Sequence, residues 1–394
     1  MAQEDEDSAL ALYIHWPYCL AKCPYCDFNS RKIPDSCDQD LWAKAYIKEI
    51  DYYAEKMSPQ RVTSVYFGGG TPSLMKETTV ASVLSHVAKV WSVDEACEIT
   101  LEANPSATDK EKLMAFRAAG VNRLSLGVQS LRDEALHFLG RIHDAATARR
   151  AIGWAVGIFP RYSFDLMYAY QGQTLDVWEE ELKEALSFDP QHLSLYQLTI
   201  ESNTPFYKRA QQEELTASEE VSAALYEHTN EAMALAGLPA YEISNYATAG
   251  QESRHNLAYW RYLPYIGIGP GAHGRPIIGG QRYATENSSA PQEWMAQVFE
   301  RGHGQTVFES IDLGTMKQEA VIMGLRLAEG INKNRWLRLF GLPLHDFLRK
   351  DVAAVLIEQK FAFDDKTAFT LTDEGRQRLD AIIPRLLPST AAYL

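Results

Sequence analysis

The sequence predicts an α/β protein: a partial (β/α)6, TIM-like barrel with a small C-terminal helical, winged-helix-like domain. Three observations carry the prediction. Short apolar runs recur at 10–15, 62–67, 98–102, 123–128, 163–168 and 192–198, separated by longer stretches with helical spacing at 41–57, 79–90, 109–118, 133–139, 145–156 and 175–187. Strand–helix alternation of this kind builds a parallel sheet, open or closed. Glycine-rich and polar motifs stand at the ends of the runs, and chemistry gathered at C-terminal strand ends is the barrel arrangement. Past a polar stretch at 302–304 the alternation gives way to helices and a hairpin. The chain thus divides into a barrel (1–245), a connection (246–305) and a C-terminal module (306–394).

Taken in order, the first run (Leu10, Leu12, Ile14) leads into YIHWPYCLAKCPYCDF, where Cys19, Cys23 and Cys26 have C-x3-C-x2-C spacing. Three thiolates can hold three irons of a cubane cluster. The fourth iron is then open to a ligand, as in open catalytic metal sites. On spacing alone, a zinc knuckle with His15 as fourth ligand is the alternative. The second run ends in FGGGTP, with Gly69, Gly70 and Thr71. Glycine lets backbone approach a ligand closely, and an ordinary tight turn fits the same letters. Glu102 ends the third run, Gln129 and Arg141 follow the fourth, and Asp165 lies in the fifth. Each alone reads as a structural polar residue. Their succession around one rim reads as a binding site.

Further on, SRHNLAYWRYLPYIGIGPGAHG contains His255, Asn256, Tyr259 and Trp260. Histidine nitrogen and tyrosine oxygen can ligate haem iron, and aromatic faces pack on a porphyrin. A polar–aromatic loop packed under the barrel is the alternative. The glycines that follow (Gly267, Gly269, Gly271, Gly274) mean close approach to a flat ligand or a tight crossing of chains. The stretch 204–222, rich in Glu and Gln, reads as a solvated helical excursion. Helical patterns at 316–328, 333–340, 344–358 and 373–387, with a hairpin around 364–366, complete the C-terminal module.

Composition excludes several classes. With 394 residues and 46% hydrophobic content, the chain can bury a large core. Its net charge of −14 disfavours nucleic acid as a partner, because phosphate contacts need clustered Lys and Arg. Beyond the motif cysteines only Cys37 and Cys97 remain, which is no disulfide framework. The acidic start MAQEDED is the opposite of a signal peptide's basic one, and no run reaches the ~20 apolar residues of a membrane span. A cytoplasmic, reducing compartment is expected, with peripheral membrane attachment left open.

The cysteine spacing, with Tyr13 before it and Tyr25 inside it, resembles the radical S-adenosylmethionine (SAM) superfamily. There the open iron binds the amino and carboxylate groups of SAM, and an electron from the cluster cleaves it. GGGTP is similar to that superfamily's glycine motif. Glu102, Gln129, Arg141 and Asp165 match SAM-binding positions of the oxygen-independent coproporphyrinogen III oxidases, the HemN group. Thr199 and His273 fall at two further positions of that pattern. The resemblance runs from about residue 10 to near the C-terminus. It departs from the oxidases at Phe28, where they carry a fourth cysteine. It departs also in a first strand near residue 10, which leaves no room for their N-terminal extension. Both departures, and the HNxxYW string at 255–260, resemble the HemW group of haem chaperones. The resemblance therefore implies a 4Fe–4S cluster on Cys19, Cys23 and Cys26, with SAM on the open iron. It implies haem at the HNxxYW string, with His255 as ligand. It further implies delivery of haem to an acceptor protein, a membrane respiratory protein among the candidates, with no coproporphyrinogen oxidase activity. The rival is the oxidase of porphyrin biosynthesis.

Overall fold

The computed structural model describes residues 9–388. At its centre is a sheet of eight strands: β1 (Ala9–Trp16), β2 (Arg61–Gly69), β3 (Ser92–Ala103), β4 (Arg123–Gln129), β5 (Arg161–Tyr168), β6 (His192–Gln197), β7 (Asn245–Ala247) and β8 (Tyr265–Ile268). β1 to β6 are parallel neighbours in chain order, the expected six-strand barrel arc. Two strands that periodicity did not mark extend it. β8 adds in parallel beside β1, and β7 antiparallel beside β6.

Alternation along each strand separates core from cavity. Leu124, Leu126 and Val128 of β4, Phe164 and Leu166 of β5, and Leu193 and Leu195 of β6 are buried in one hydrophobic core. The intervening residues turn inward, as a period of two requires. The core's outer half comes from helices α1 (Gln39–Lys56), α2 (Glu77–Val90), α3 (Lys110–Ala118), α4 (Ala145–Ile158), α5 (Leu175–Leu186) and α6 (Glu219–Leu235). Each buried Leu, Ile or Phe stabilises the fold by roughly 1.5–3 kcal/mol. Asp38, Asp109, Asp144, Thr174 and Ser218 cap five of these helices through backbone N–H bonds, each worth ~1 kcal/mol.

The expected excursion at 204–222 is helical only at Pro205–Arg209 and from Glu219 onward. Its Glu and Gln residues at 211–214 are exposed loop. Along α6, Leu225, Thr229 and Met233 are the buried residues. The helix is fixed by a few buried contacts, including the Trp178 indole N–H donated to Thr229 Oγ1 at 2.8 Å.

The glycine run is a tight crossing of chains. A Cβ on Gly267 would meet the His273 carbonyl oxygen at 2.2 Å, and one on Gly269 the His15 carbonyl oxygen at 2.6 Å. One buried carboxylate holds this crossing. Glu49 of α1 accepts N–H bonds from Gly269 (2.8 Å), Gly304 (2.8 Å), Trp294 Nε1 (3.0 Å) and Asn287 Nδ2 (3.2 Å). Burial pushes it up to about 7, against the pull of those four donors. The stretch 302–304 is thus fastened to α1 and is no free linker.

Beyond it, α7 (Arg254–Trp260) and α8 (Pro291–Arg301) belong to the barrel side, and α9 (Leu313–Gly324), α10 (Lys333–Phe340), α11 (Lys350–Glu358) and α12 (Leu379–Leu386) to a second core. That core includes Val321, Trp336, Phe340, Phe369 and Leu386. Strands Ile331–Asn332, Ala362–Asp364 and Ala368–Leu371 form its antiparallel sheet, with the expected hairpin at its tip. The helical patterns at 344–358 and 373–387 are each broken in two; in the first, Phe347 turns its ring onto Trp336. No helix among the described residues is long and apolar enough to cross a membrane.

Candidate functional site

A cavity of about 520 Å³ opens at the C-terminal ends of the barrel strands. The loop after β1 brings Cys19, Cys23, Tyr25 and Cys26 to its mouth, and Gly69, Gly70 and Thr71 follow from β2. Glu102, Gln129, Arg141, Asp165 and Thr199 line the wall. Gln129 closes β4 with φ +71°, in the left-handed region. A non-glycine residue there is uncommon, and such strain clusters at functional sites. The glycines have steric reasons. Gly69 has φ +112°, and a Cβ on it would strike His15 at 2.6 Å; one on Gly70 would strike the Tyr18 carbonyl at 2.6 Å.

Electrostatics divide the cavity. At the mouth, the Arg141 guanidinium donates to Cys23 Sγ at 3.1 Å and to the Tyr25 hydroxyl at 3.4 Å. Burial lowers its affinity for a proton, but Tyr25 and Cys23 beside it hold its pKa above the ordinary value. Burial also raises the thiols of Cys19 and Cys26. Deeper in, Glu102 accepts from the Tyr66 hydroxyl at 2.8 Å and from the Gly69 N–H at 3.1 Å. Burial pushes Glu102 up to about 7 and Asp165 up to about 6. Two acids poised near neutrality in one cleft are a functional-site signature.

Models of the radical SAM superfamily and of the HemN C-terminal domain match residues 13–185 and 315–378. Radical S-adenosyl methionine domain-containing protein 1, mitochondrial, of Danio rerio is 37% identical over 386 residues, covering 96% of this chain and 86% of the relative. Heme chaperone HemW of Haemophilus influenzae is 32% identical over 391 residues, covering 96% of this chain and 98% of the relative. Heme chaperone HemW of Bacillus subtilis is 35% identical over 372 residues, covering 92% and 95%. The chain belongs to the HemW family. Coproporphyrinogen III oxidase (HemN) from Escherichia coli shares the fold, with a TM-score of 0.79 at 21% identity over 96% of this chain and 89% of that one.

Membership of the radical SAM superfamily implies a 4Fe–4S cluster and SAM, and the residues present fit them. Cys19, Cys23 and Cys26 are free thiols lining one mouth. Among the described residues, no three His, Cys, Asp or Glu side chains converge closely enough for a single metal ion; a cubane asks each thiolate to bind a separate iron. His15, the zinc alternative's fourth ligand, is committed elsewhere. Its Nδ1 bonds the Tyr13 hydroxyl at 3.0 Å and its Nε2 the Asn29 carbonyl at 2.9 Å, and burial lowers it to about 4. Tyr13 thus props the cysteine loop from behind and does not line the cavity.

The HNxxYW residues scatter. Asn256 reaches the cavity floor. His255 and Tyr259 lie outside it, hydrogen-bonded to each other. Trp260 faces the C-terminal module, with the Arg326 guanidinium 4.7 Å from its ring centroid. His273 is exposed, off the cavity, 3.8 Å from Glu286. Sequence reasoning missed the floor: Arg123 and Ser125 of β4, His192, Ser194 and Tyr196 of β6, Asn245 of β7, and Tyr66 of β2. A signal existed for most of these. They are polar residues at alternate positions of otherwise apolar strands, which marks an inward face.

Proposed function

We propose that this chain binds haem and passes it to an acceptor protein, and that it carries a 4Fe–4S cluster on Cys19, Cys23 and Cys26 with SAM in the cavity beside it. Near-full-length identity to heme chaperones carries this reading. A cluster bound there supplies one-electron chemistry. The chain's own residues do the rest. Arg141 offsets the thiolate charge, the Gly69–Gly70 backbone leaves room for a ligand, and Glu102 and Asp165 offer acceptors to hydroxyl or ammonium groups. At about 520 Å³ the cavity has the size of a site for one ligand, within ~300–1,000 Å³. With cluster and SAM assigned to the cavity, haem is assigned to a surface outside it, where the exposed Phe28 ring offers an apolar face at the rim. With this role goes a proposed cytoplasmic location, with peripheral attachment to a membrane.

The rival reading, oxidative decarboxylation of coproporphyrinogen III, draws on the shared HemN fold and the polar cavity. Anaerobic incubation of cluster-loaded protein with SAM, a reductant and coproporphyrinogen III separates the two. The expected result is no protoporphyrinogen, together with saturable haem uptake in a parallel titration. Multiple-turnover protoporphyrinogen formation would establish the oxidase instead.

SAM affinity is expected to fall as pH drops through about 7. Burial, with Asp165 beside it, raises Glu102 to that value despite the Tyr66 and Gly69 donors; below it the carboxyl is neutral and the charge that attracts donors is gone. Titration at about pH 6 and about pH 8 should show the drop in wild type and a smaller one in Glu102→Gln, where Asp165, raised by burial to about 6, still titrates.

A further inference from the structure

His255 is only 2% exposed, and both of its ring nitrogens are taken. Nδ1 is hydrogen-bonded to the Ser64 hydroxyl at 2.9 Å and Nε2 to the Tyr259 hydroxyl at 2.6 Å. An iron could bond neither nitrogen without breaking one of these and leaving a buried hydroxyl to find a new partner. Its backbone N–H is held as well, by Glu98 Oε1 at 3.3 Å. Burial lowers its pKa to about 3, so the ring is neutral.

The ring does have a neighbour that matters. It lies nearly parallel to Tyr66, with centroids 4.9 Å apart and 22° between planes. Tyr13 completes the group, its centroid 6.3 Å from each of the other two. Tyr66 then extends into the cavity and donates its hydroxyl to Glu102 Oε1 at 2.8 Å. Stacked rings of this kind fix each other's orientation. A hydrogen bond from an oriented neighbour fixes the rotamer of a carboxylate, as outer partners do for ligating residues.

We infer that His255 is a positioning residue for the cofactor cavity and not the haem ligand: clamped by Ser64 and Tyr259, it sets the Tyr66 ring and, through the Tyr66 hydroxyl, the Glu102 carboxylate. This rests on the proposed assignment of SAM to that cavity. It gives the HNxxYW string a role in the barrel interior and leaves haem to a surface outside.

The test uses full-length, cluster-reconstituted protein. SAM is titrated against the electron paramagnetic resonance signal of the reduced cluster, and haem separately against its Soret absorbance. His255→Ala and Tyr66→Phe are each expected to weaken SAM about tenfold, the equivalent of ~1.4 kcal/mol, and to leave haem affinity and the Soret maximum as in wild type. Tyr66→Phe keeps the ring and removes only the hydroxyl, so it decides the question should His255→Ala fail to fold. Wild-type SAM affinity in Tyr66→Phe overturns the inference. So does a weakened or shifted Soret band in folded His255→Ala with SAM binding intact. A wild-type protein that takes up no haem would instead defeat the functional proposal, while the SAM comparison stays readable.

Discussion

Cys23→Ala is expected to leave the reconstituted protein with no cubane cluster, its iron content and visible absorbance reduced to background. Cys23 is the middle thiol of the loop, and it alone of the three also lines the small cleft behind the mouth, with Leu20 and Ile142. It receives the Arg141 guanidinium at 3.1 Å. Without it two thiolates remain, enough for two irons of a cubane and not three. Burial raises the Cys19 and Cys26 thiols, so they remain protonated at neutral pH until metal displaces the protons. Reconstitution should therefore go faster toward alkaline pH. Cys37→Ala is the control, because Cys37 does not line the cavity; it should load like wild type. Full iron and an unchanged spectrum in Cys23→Ala would remove Cys23 from the ligand set.

Glu98→Ala is expected to destabilise the protein by ~3–5 kcal/mol, the cost of breaking a buried ion pair from one side. Its carboxylate is fully buried near the N-terminal ends of the barrel strands, where it ties three elements together. It accepts from Arg161 Nη1 of β5 at 2.7 Å and faces Arg123 Nε of β4 at 3.9 Å. It also receives the Ser253 hydroxyl at 3.4 Å and the His255 N–H at 3.3 Å, at the start of α7. Alanine leaves the Arg123 cation, itself 3% exposed, without its buried counter-charge. Denaturant unfolding of Glu98→Ala against Glu95→Ala, an exposed neighbour, measures the difference. The control should stay within about 0.5 kcal/mol of wild type. A Glu98 loss of that same small size would show that the floor is not held this way.

The barrel arc and the mouth of the cavity were legible because both write themselves into local sequence. β1 to β6 announce themselves as apolar runs, and Cys19, Cys23, Cys26 and Gly69–Thr71 stand at the strand ends where short motifs are easiest to see. β7 and β8 were not legible. Asn245–Ala247 is three residues long, and Tyr265–Ile268 lies among glycines whose job, close crossing, carries no periodicity. The floor was missed for a different reason. Arg123 begins β4, and a charge at a strand start reads as solvated until the fold brings its partner, here Glu98 of the neighbouring strand. The HNxxYW string shows the limit of residue type as evidence. A histidine beside tyrosines offers the right atoms to an iron, and only geometry shows that Ser64 and Tyr259 already hold them.

The pairing of β1 with β8 has a consequence for the order in which the molecule is made. Leu12 lies opposite Ile266, so β1 leaves the ribosome about 250 residues before the strand that covers its edge. Such distant pairings slow folding, because the long loop must close before any contact rewards it. During that wait the outer edge of β1 is bare, with Leu10, Leu12 and Ile14 on a strand whose hydrogen-bonding groups are unmatched on one side. Edges of that kind template pairing with other chains. A polypeptide stopped short of Tyr265 would keep that edge open for good, and self-association is the expected fate of such a fragment.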